Sequence, residues 1–264
     1  MDLDTVRELG PWSAHGWRDG DAWLAGGTWL FSEPQPAVRR LVDLTEMGWA
    51  SLRQLADGSL EIGATCTVAE LSAYPHPLFL PCCRAFLASF KIWNVATVGG
   101  NLCAALPAGP MISLCAALEG RCLLLAQDGG RRVVPVSDFV RGAGRTVLGE
   151  GELLRSITLP AHALRRRSAM RQASLYELGR SAALVIGTRD PAGGATTVTV
   201  TASTVRPFQL GFPGLPGREE LAEAIERTVP PSGWFSDVHG LPRWRRHMTH
   251  RLAEQVRREL SEPT

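Results

Sequence analysis

The sequence predicts an α+β protein in two parts, a mixed α/β front of about 160 residues and an α+β back of about 100. Three observations carry this. Short strand-like runs in the front alternate with helix signals and with adjacent glycines. In the back, Thr197-Val198-Thr199-Val200-Thr201-Ala202 alternates strictly, as a half-buried antiparallel strand does. Near the end, Trp244, Met248, Leu252, Val256 and Leu260 recur every four residues, on one face of a helix that starts at Pro242.

Taken in order, residues 6–17, with Gly10, Pro11 and Gly16, read as irregular. Residues 21–24 form a short strand running into Ala25-Gly26-Gly27-Thr28, and residues 39–44 a second strand after Pro34 and Pro36. Residues 60–64 follow the Asp57-Gly58 turn as one arm of a hairpin. Thr67 fits a helix N-cap, and Glu70 three residues on completes a capping box. Leu78, Phe79, Phe86, Leu87 and Phe90 predict one helix over 76–90, with Pro81 disturbing its first turns. A helix over 111–118, a strand over 121–125, a turn at Asp128-Gly129-Gly130 and a strand over 132–136 follow. Residues 152–160 make a strand stopped by Pro160. The Arg165-Arg166-Arg167 run reads as a solvated linker, and residues 219–227 as a helix.

Composition narrows the function. Hydrophobic residues make up 45% and charged residues 20% of the 264, ordinary for a globular protein with a core. A net charge of +2 gives no electrostatic case for nucleic acid or a membrane surface as partner. The longest apolar region, 111–126, is broken by Glu119, Gly120 and Arg121, so no bilayer span is expected. Asp2 and Asp4 stand where a secretory leader would be basic and then apolar, which makes the cytoplasm the expected location. Cys66, Cys82, Cys83, Cys103, Cys115 and Cys122 contain no Cys-x-x-Cys pair and read as small buried hydrophobes, not cluster ligands. His239, His247 and His250 lack a carboxylate or cysteine at metal spacing. Ser113 and Ser137 lack a nucleophile elbow. Trp12, Trp17, Trp23 and Trp29 read as local packing. No side chain demands an acid–base or nucleophilic role, which suits a domain whose chemistry belongs to a bound group.

Two glycine loops point to an anion as ligand. Adjacent glycines let successive backbone N–H groups converge on an anion without Cβ interference. Gly26-Gly27-Thr28 offers such a nest with a hydroxyl beside it, and Thr97 with Gly99-Gly100-Asn101 repeats the chemistry. Either pair alone is an ordinary tight turn, but two nests facing each other suit a diphosphate. Neither loop is a Walker or Gly-x-Gly-x-x-Gly loop.

Leu24-Ala25-Gly26-Gly27-Thr28 resembles the first flavin loop of the FAD-binding subunits of molybdenum hydroxylases, the family of the carbon monoxide and xanthine dehydrogenases. Asn94-Val95-Ala96-Thr97-Val98-Gly99-Gly100-Asn101-Leu102 is similar to the second loop and is the most specific motif in the chain. Pro107-Ala108, Asp138-Phe139, Gly151-Glu152-Leu153-Leu154 and Arg171-Gln172-Ala173-Ser174 continue the order. The resemblance covers nearly the whole chain, most strongly 22–160. It implies an α+β fold of the PCMH/VAO type, in which two subdomains (about 1–55 and 56–160) clasp FAD ahead of a smaller α+β C-terminal domain over 168–264.

The resemblance also implies site residues. Leu24, Ala25, Gly26, Gly27, Thr28, Trp29 and Leu30 would wrap the diphosphate from one side, and Ala96, Thr97, Gly99, Gly100 and Asn101 from the other. Leu154 matches a position against the flavin or adenine end, Leu87 an apolar position near the isoalloxazine, and Arg171 a basic position near the cofactor. The implied partners are a molybdenum–pterin large subunit and a [2Fe–2S] subunit, or a fusion of both. Electrons would leave for NAD, oxygen or a quinone-type acceptor. Two departures stand out: Pro110 replaces an acidic residue that bonds the cofactor's polyol in many relatives, and Trp29 a smaller or polar one. They leave open a structural subunit with weakened or lost flavin binding. A stand-alone flavin oxidoreductase is the remaining alternative.

Overall fold

The computed structural model of the chain describes residues 4–11, 16–192 and 194–262. The first sheet is parallel: β1 (Glu8–Pro11), β2 (Asp21–Leu24) and β3 (Arg40–Asp43), with β3 in the middle. β1 corrects the irregular reading of 6–17. Its Gly-Pro end carries no alternation, and the strand is defined by its register with β3. Arg40 pairs with Asp21 across β2 and β3, and that bond holds the Asp21 carboxyl below its usual range. Trp17 and Trp23 pack locally, ring centroids 4.6 Å apart; Trp12 lies outside the described residues.

The second sheet opens with the hairpin β4 (Leu52–Gln54) and β5 (Leu60–Gly63), turned at Gly58 with φ +83°. Five helices follow: α1 (Val68–Ser72), α2 (Phe79–Ala85), α3 (Phe90–Trp93), α4 (Val98–Ala104) and α5 (Pro110–Ala117). The capping box at α1 is present in both directions, Thr67 Oγ1 accepting from Glu70 N–H and the Glu70 carboxylate accepting from Thr67 N–H. The single helix expected over 76–90 is two. Pro81 is tolerated in the first turn of α2, where its N–H would have no intrahelical partner. The break falls instead at Leu87, whose φ of +50° no helix accommodates.

The chain then makes β6 (Arg121–Leu125), β7 (Arg131–Pro135), the short α6 (Val136–Phe139), the small hairpin β8 (Val140–Gly142) and β9 (Arg145–Thr146), and β10 (Leu153–Leu159). β10 inserts between β5 and β6, giving an antiparallel sheet in the order β4-β5-β10-β6-β7. Leu60, Ile62, Leu124 and Ile157 on this sheet share one core with Leu71, Phe79, Leu102 and Leu114 from the helices.

After α7 (Ala161–Leu164), a third sheet runs β11 (Arg167–Ala173), β12 (Ala183–Arg189), β13 (Thr196–Thr201) and β14 (Phe208–Phe212), a plain antiparallel meander. α8 (Arg218–Thr228) and α9 (Pro242–Ser261) cover one face; Gly187 admits α9 so closely that a Cβ there would lie 2.4 Å from Val256. β13 is not half-buried as its alternation predicts. Val198 and Val200 face α8 and α9, while Thr199 and Thr201 face α5, where Ser113 and Thr201 hydroxyls meet at 2.7 Å. Every residue of α5 is buried, because α2, α4 and the third sheet enclose it. The Arg165–Arg167 run is no free linker either. Arg166 pairs with Glu119, and Arg167 donates to the carbonyls of Glu259 and Glu262 at the end of α9, groups a helix terminus leaves unpaired.

Candidate functional site

β2 delivers the chain into the first loop. Gly27 has φ +67°, and a Cβ on it would strike the Phe31 ring at 2.5 Å. A Cβ on Gly26 would lie 1.8 Å from the Val95 carbonyl oxygen, so glycine is what lets the first loop touch the segment leading to the second. Among the described residues, the N–H groups of Gly26, Gly27, Thr28, Trp29 and Leu30 donate to no acceptor in the chain. Five consecutive donors in a half-buried loop are suited to an anion.

The second loop is built differently. Thr97 caps α4, its Oγ1 accepting from Gly100 N–H at 3.0 Å. Val98 N–H donates to the Cys66 carbonyl, Gly99 N–H to the Ala64 carbonyl and Asn101 N–H to the Thr97 carbonyl. The N–H groups of Gly99, Gly100 and Asn101, expected to form a second nest, are therefore engaged. Gly99 serves close approach instead: a Cβ there would lie 2.6 Å from Ala64. What this loop can offer a ligand is side chains. Asn101 Oδ1 accepts from Met111 N–H at the start of α5, which leaves its amide NH2 to donate, and the Thr97 hydroxyl keeps its proton.

Between the loops lies a cavity of about 810 Å3, within the range of small-molecule sites. Of the residues singled out in the sequence, Ala25, Gly26, Gly27, Thr28, Trp29, Leu30, Leu87, Ala96, Thr97, Gly100 and Asn101 line it. Leu24, Gly99, Leu154 and Arg171 do not. Leu24 ends β2, Gly99 packs on Ala64, and Leu154 is buried in β10. Arg171 points along β11 to an ion pair with Glu259 at 2.5 Å. Arg180, which the sequence did not single out, lines the cavity and is the one charged residue that does so among the described residues. It sits in an aperiodic stretch between β11 and β12, where no pattern marks it. Pro110, at the first position of α5, and Cys103 also line the wall.

Cys103 is the exception among the cysteines, exposed while the other five are buried. Desolvation pushes the Cys66, Cys83 and Cys115 thiols up to about 12, and that of Cys103 equally, far from thiolate chemistry. No group of three or more His, Cys, Asp or Glu suited to a metal occurs among the described residues. His250 is instead bonded to Glu226 at 2.5 Å.

A family model described as the FAD binding domain in molybdopterin dehydrogenase matches residues 12–162. The chain belongs to this family. Its cofactor is FAD. This FAD-binding chain is 32% identical over 151 residues to the putative xanthine dehydrogenase FAD-binding subunit of Escherichia coli K12, covering 52% of the chain and 49% of that subunit. It is 24% identical over 231 residues to the nicotinate dehydrogenase FAD-subunit of Eubacterium barkeri, covering 78% and 75%. Against xanthine dehydrogenase 2 of Arabidopsis thaliana the match is 28% over 117 residues, 39% of this chain and 9% of that one. The FAD-binding chain thus spans about a tenth of the plant enzyme and about half of the bacterial subunit. Its fold is that of chains in carbon monoxide dehydrogenase from Oligotropha carboxidovorans (TM-score 0.82, 21% identity, 98% and 99% coverage) and quinoline 2-oxidoreductase from Pseudomonas putida 86 (0.77, 20%, 99% and 100%).

The cavity fits that cofactor. Among the described residues the wall carries free N–H groups, one cation and no acid, which suits a diphosphate, and Trp29, Leu87, Ile92 and Leu106 provide apolar surface for rings.

Proposed function

We propose that this chain is the electron-transfer flavoprotein subunit of a molybdenum-containing hydroxylase, holding FAD between the first loop and α4. It would receive electrons from [2Fe–2S] clusters on a partner, itself serving or fused to a molybdenum–pterin subunit, and deliver them to NAD, oxygen or a quinone-type acceptor. Bound FAD supplies the redox chemistry. The chain's own residues bind and orient: the N–H groups of 26–30 hold the diphosphate from one side, and the Thr97 hydroxyl and Asn101 amide from α4. Leu87 and Trp29 shield apolar ring surface from water. The observation that carries the reading is the row of five unpartnered N–H donors in the first loop, in a chain of an FAD-binding family. Trp29 lines an open cavity and does not close it, which favours a flavin-loaded subunit over an empty structural one.

Gly100→Asp tests the site. A Cβ at Gly100 would lie 2.8 Å from Thr97 Oγ1, and the carboxylate would repel phosphate. The expected result is a chain that keeps its circular dichroism spectrum and loses the flavin absorbance; full flavin content at unchanged affinity would move the site elsewhere. For the electron path, the loaded chain alone is expected not to bleach under anaerobic aldehydes, purines or N-heterocycles, and to bleach once partner polypeptides are added. Rapid bleaching of the isolated chain by one of these compounds would favour the stand-alone oxidoreductase.

A further inference from the structure

A second cavity, about 530 Å3, lies between α8 and α9, on the face of the third sheet away from the flavin site. Leu221, Ala222 and Ile225 line its floor; Arg218, Arg251 and Arg258, all exposed, form its rim. Its one acid among the described residues, Glu254, is held by Arg257 and Arg258. Among the described residues, Arg218 and Arg251 have no acidic partner. Glu226, the nearest acid of α8 in this network, is taken by Arg246 and His250. An apolar trough between two helices with unpaired cations on both banks is unlike the ordinary solvated helix surface, where such cations meet acids at neighbouring turns.

We infer that this groove docks an acidic amphipathic segment of a second polypeptide, laid along α9 with its apolar stripe on Leu221, Ala222 and Ile225. The spacing favours a segment over a small anion. Arg251 and Arg258 are seven residues apart, two helical turns or about 10 Å along α9; Arg258 bonds Glu254 through Nε and keeps its terminal NH2 groups to donate, and Arg218 stands across the groove on α8. One carboxylate or phosphate cannot reach both ends, whereas a helix with acids seven residues apart meets both and presents apolar side chains between them. The reading is independent of the flavin assignment, because the two cavities share no lining residue.

The test places a photo-crosslinking amino acid at Ala222 of the full chain, expressed in its native host, and sequences the crosslinked peptide by mass spectrometry. A single foreign polypeptide is expected, joined at a stretch with acidic residues about seven apart beside an apolar stripe. The double variant Arg218→Glu/Arg251→Glu, at exposed positions that leave the core untouched, should lower the crosslinking yield at least tenfold while flavin content stays the same. Crosslinks only to lipid, to another copy of this chain or to a segment without acids would overturn the inference. So would a yield indifferent to charge reversal, or no crosslink at all.

Discussion

Arg180 is the side chain whose removal separates charge from shape in the proposed flavin site. It stands on the cavity wall without an acidic partner among the described residues, whereas Arg171 is tied to Glu259. Arg180→Ala should weaken FAD by about 1 kcal/mol, roughly fivefold, and flatten the dependence of affinity on salt. Arg171→Ala should change neither. Calorimetric titration at two ionic strengths checks both, and equal effects would mean that the cavity cation is not the one that matters. Pro110 permits a gain. It occupies the first position of α5 on the cavity wall, where the missing N–H costs the helix nothing and a carboxylate would meet the favourable end of the dipole. If an acid at this position bonds the polyol, as the resemblance implies, Pro110→Asp should tighten FAD by about 1 kcal/mol. Weaker binding in the same titration would assign Pro110 a backbone role.

At the scale of elements, α9 combines an apolar stripe with a run of guanidinium groups. Arg245 is buried there, bonded to the Gly240, Ala182 and Ala202 carbonyls and paired with Asp237, so the helix fastens the ends of β12 and β13. Glu254 gives α9 a measurable acid response. Hydrogen bonds from Arg257, then Arg258, hold its carboxyl at about 2, below the ordinary 4.5. A depressed carboxyl stabilises the fold fully above its unfolded pKa, and that contribution is lost as pH falls from about 4.5 towards 2. Glu254→Gln should therefore lower the urea midpoint at pH 7, with the gap from the parent closing below pH 4. A gap constant with pH would disconnect the pair from stability.

Which elements the sequence discloses follows from where their determinants lie. The Thr67 capping box, the strand over 121–125 and the helix opening at Pro242 are specified within a few residues, and all three stand as read. β1 is set by β3, some thirty residues away, and the helix break by the single dihedral of Leu87. The second glycine loop was recognisable, but not that its N–H groups are consumed: Thr97 takes those of Gly100 and Asn101 as a helix cap, and the acceptors of Val98 and Gly99, at Cys66 and Ala64, lie more than thirty residues upstream. Arg180 sits between strands with no periodicity to mark it.

Across the whole molecule, the second and third sheets share one core. Leu184, Ile186 and Ala202 of the back pack in the same cluster as Leu60 and Met111 of the front, and Gln209 donates to the Ala116 carbonyl at 2.7 Å. The back is thus a wall of the front's interior. A fragment ending at residue 162 would leave the apolar face of α5 bare, and it should bind hydrophobic dye and aggregate where the full chain does not. A monomeric fragment with a sharp thermal transition would show that α5 can be covered from the front alone.

The unequal state of the two glycine loops has a consequence in time. Backbone amides that already donate within the chain exchange their protons with solvent only when the local structure opens; amides that donate to nothing exchange almost at once. In deuterated buffer without cofactor, residues 26–30 should label within seconds, while 98–101 label slowly with the core around Ala64. Saturation with FAD should slow the first set by orders of magnitude and change the second little. One half of the clasp would then be rigid before the cofactor arrives and the other would set around it, so the rate of tight binding would follow the settling of the first loop.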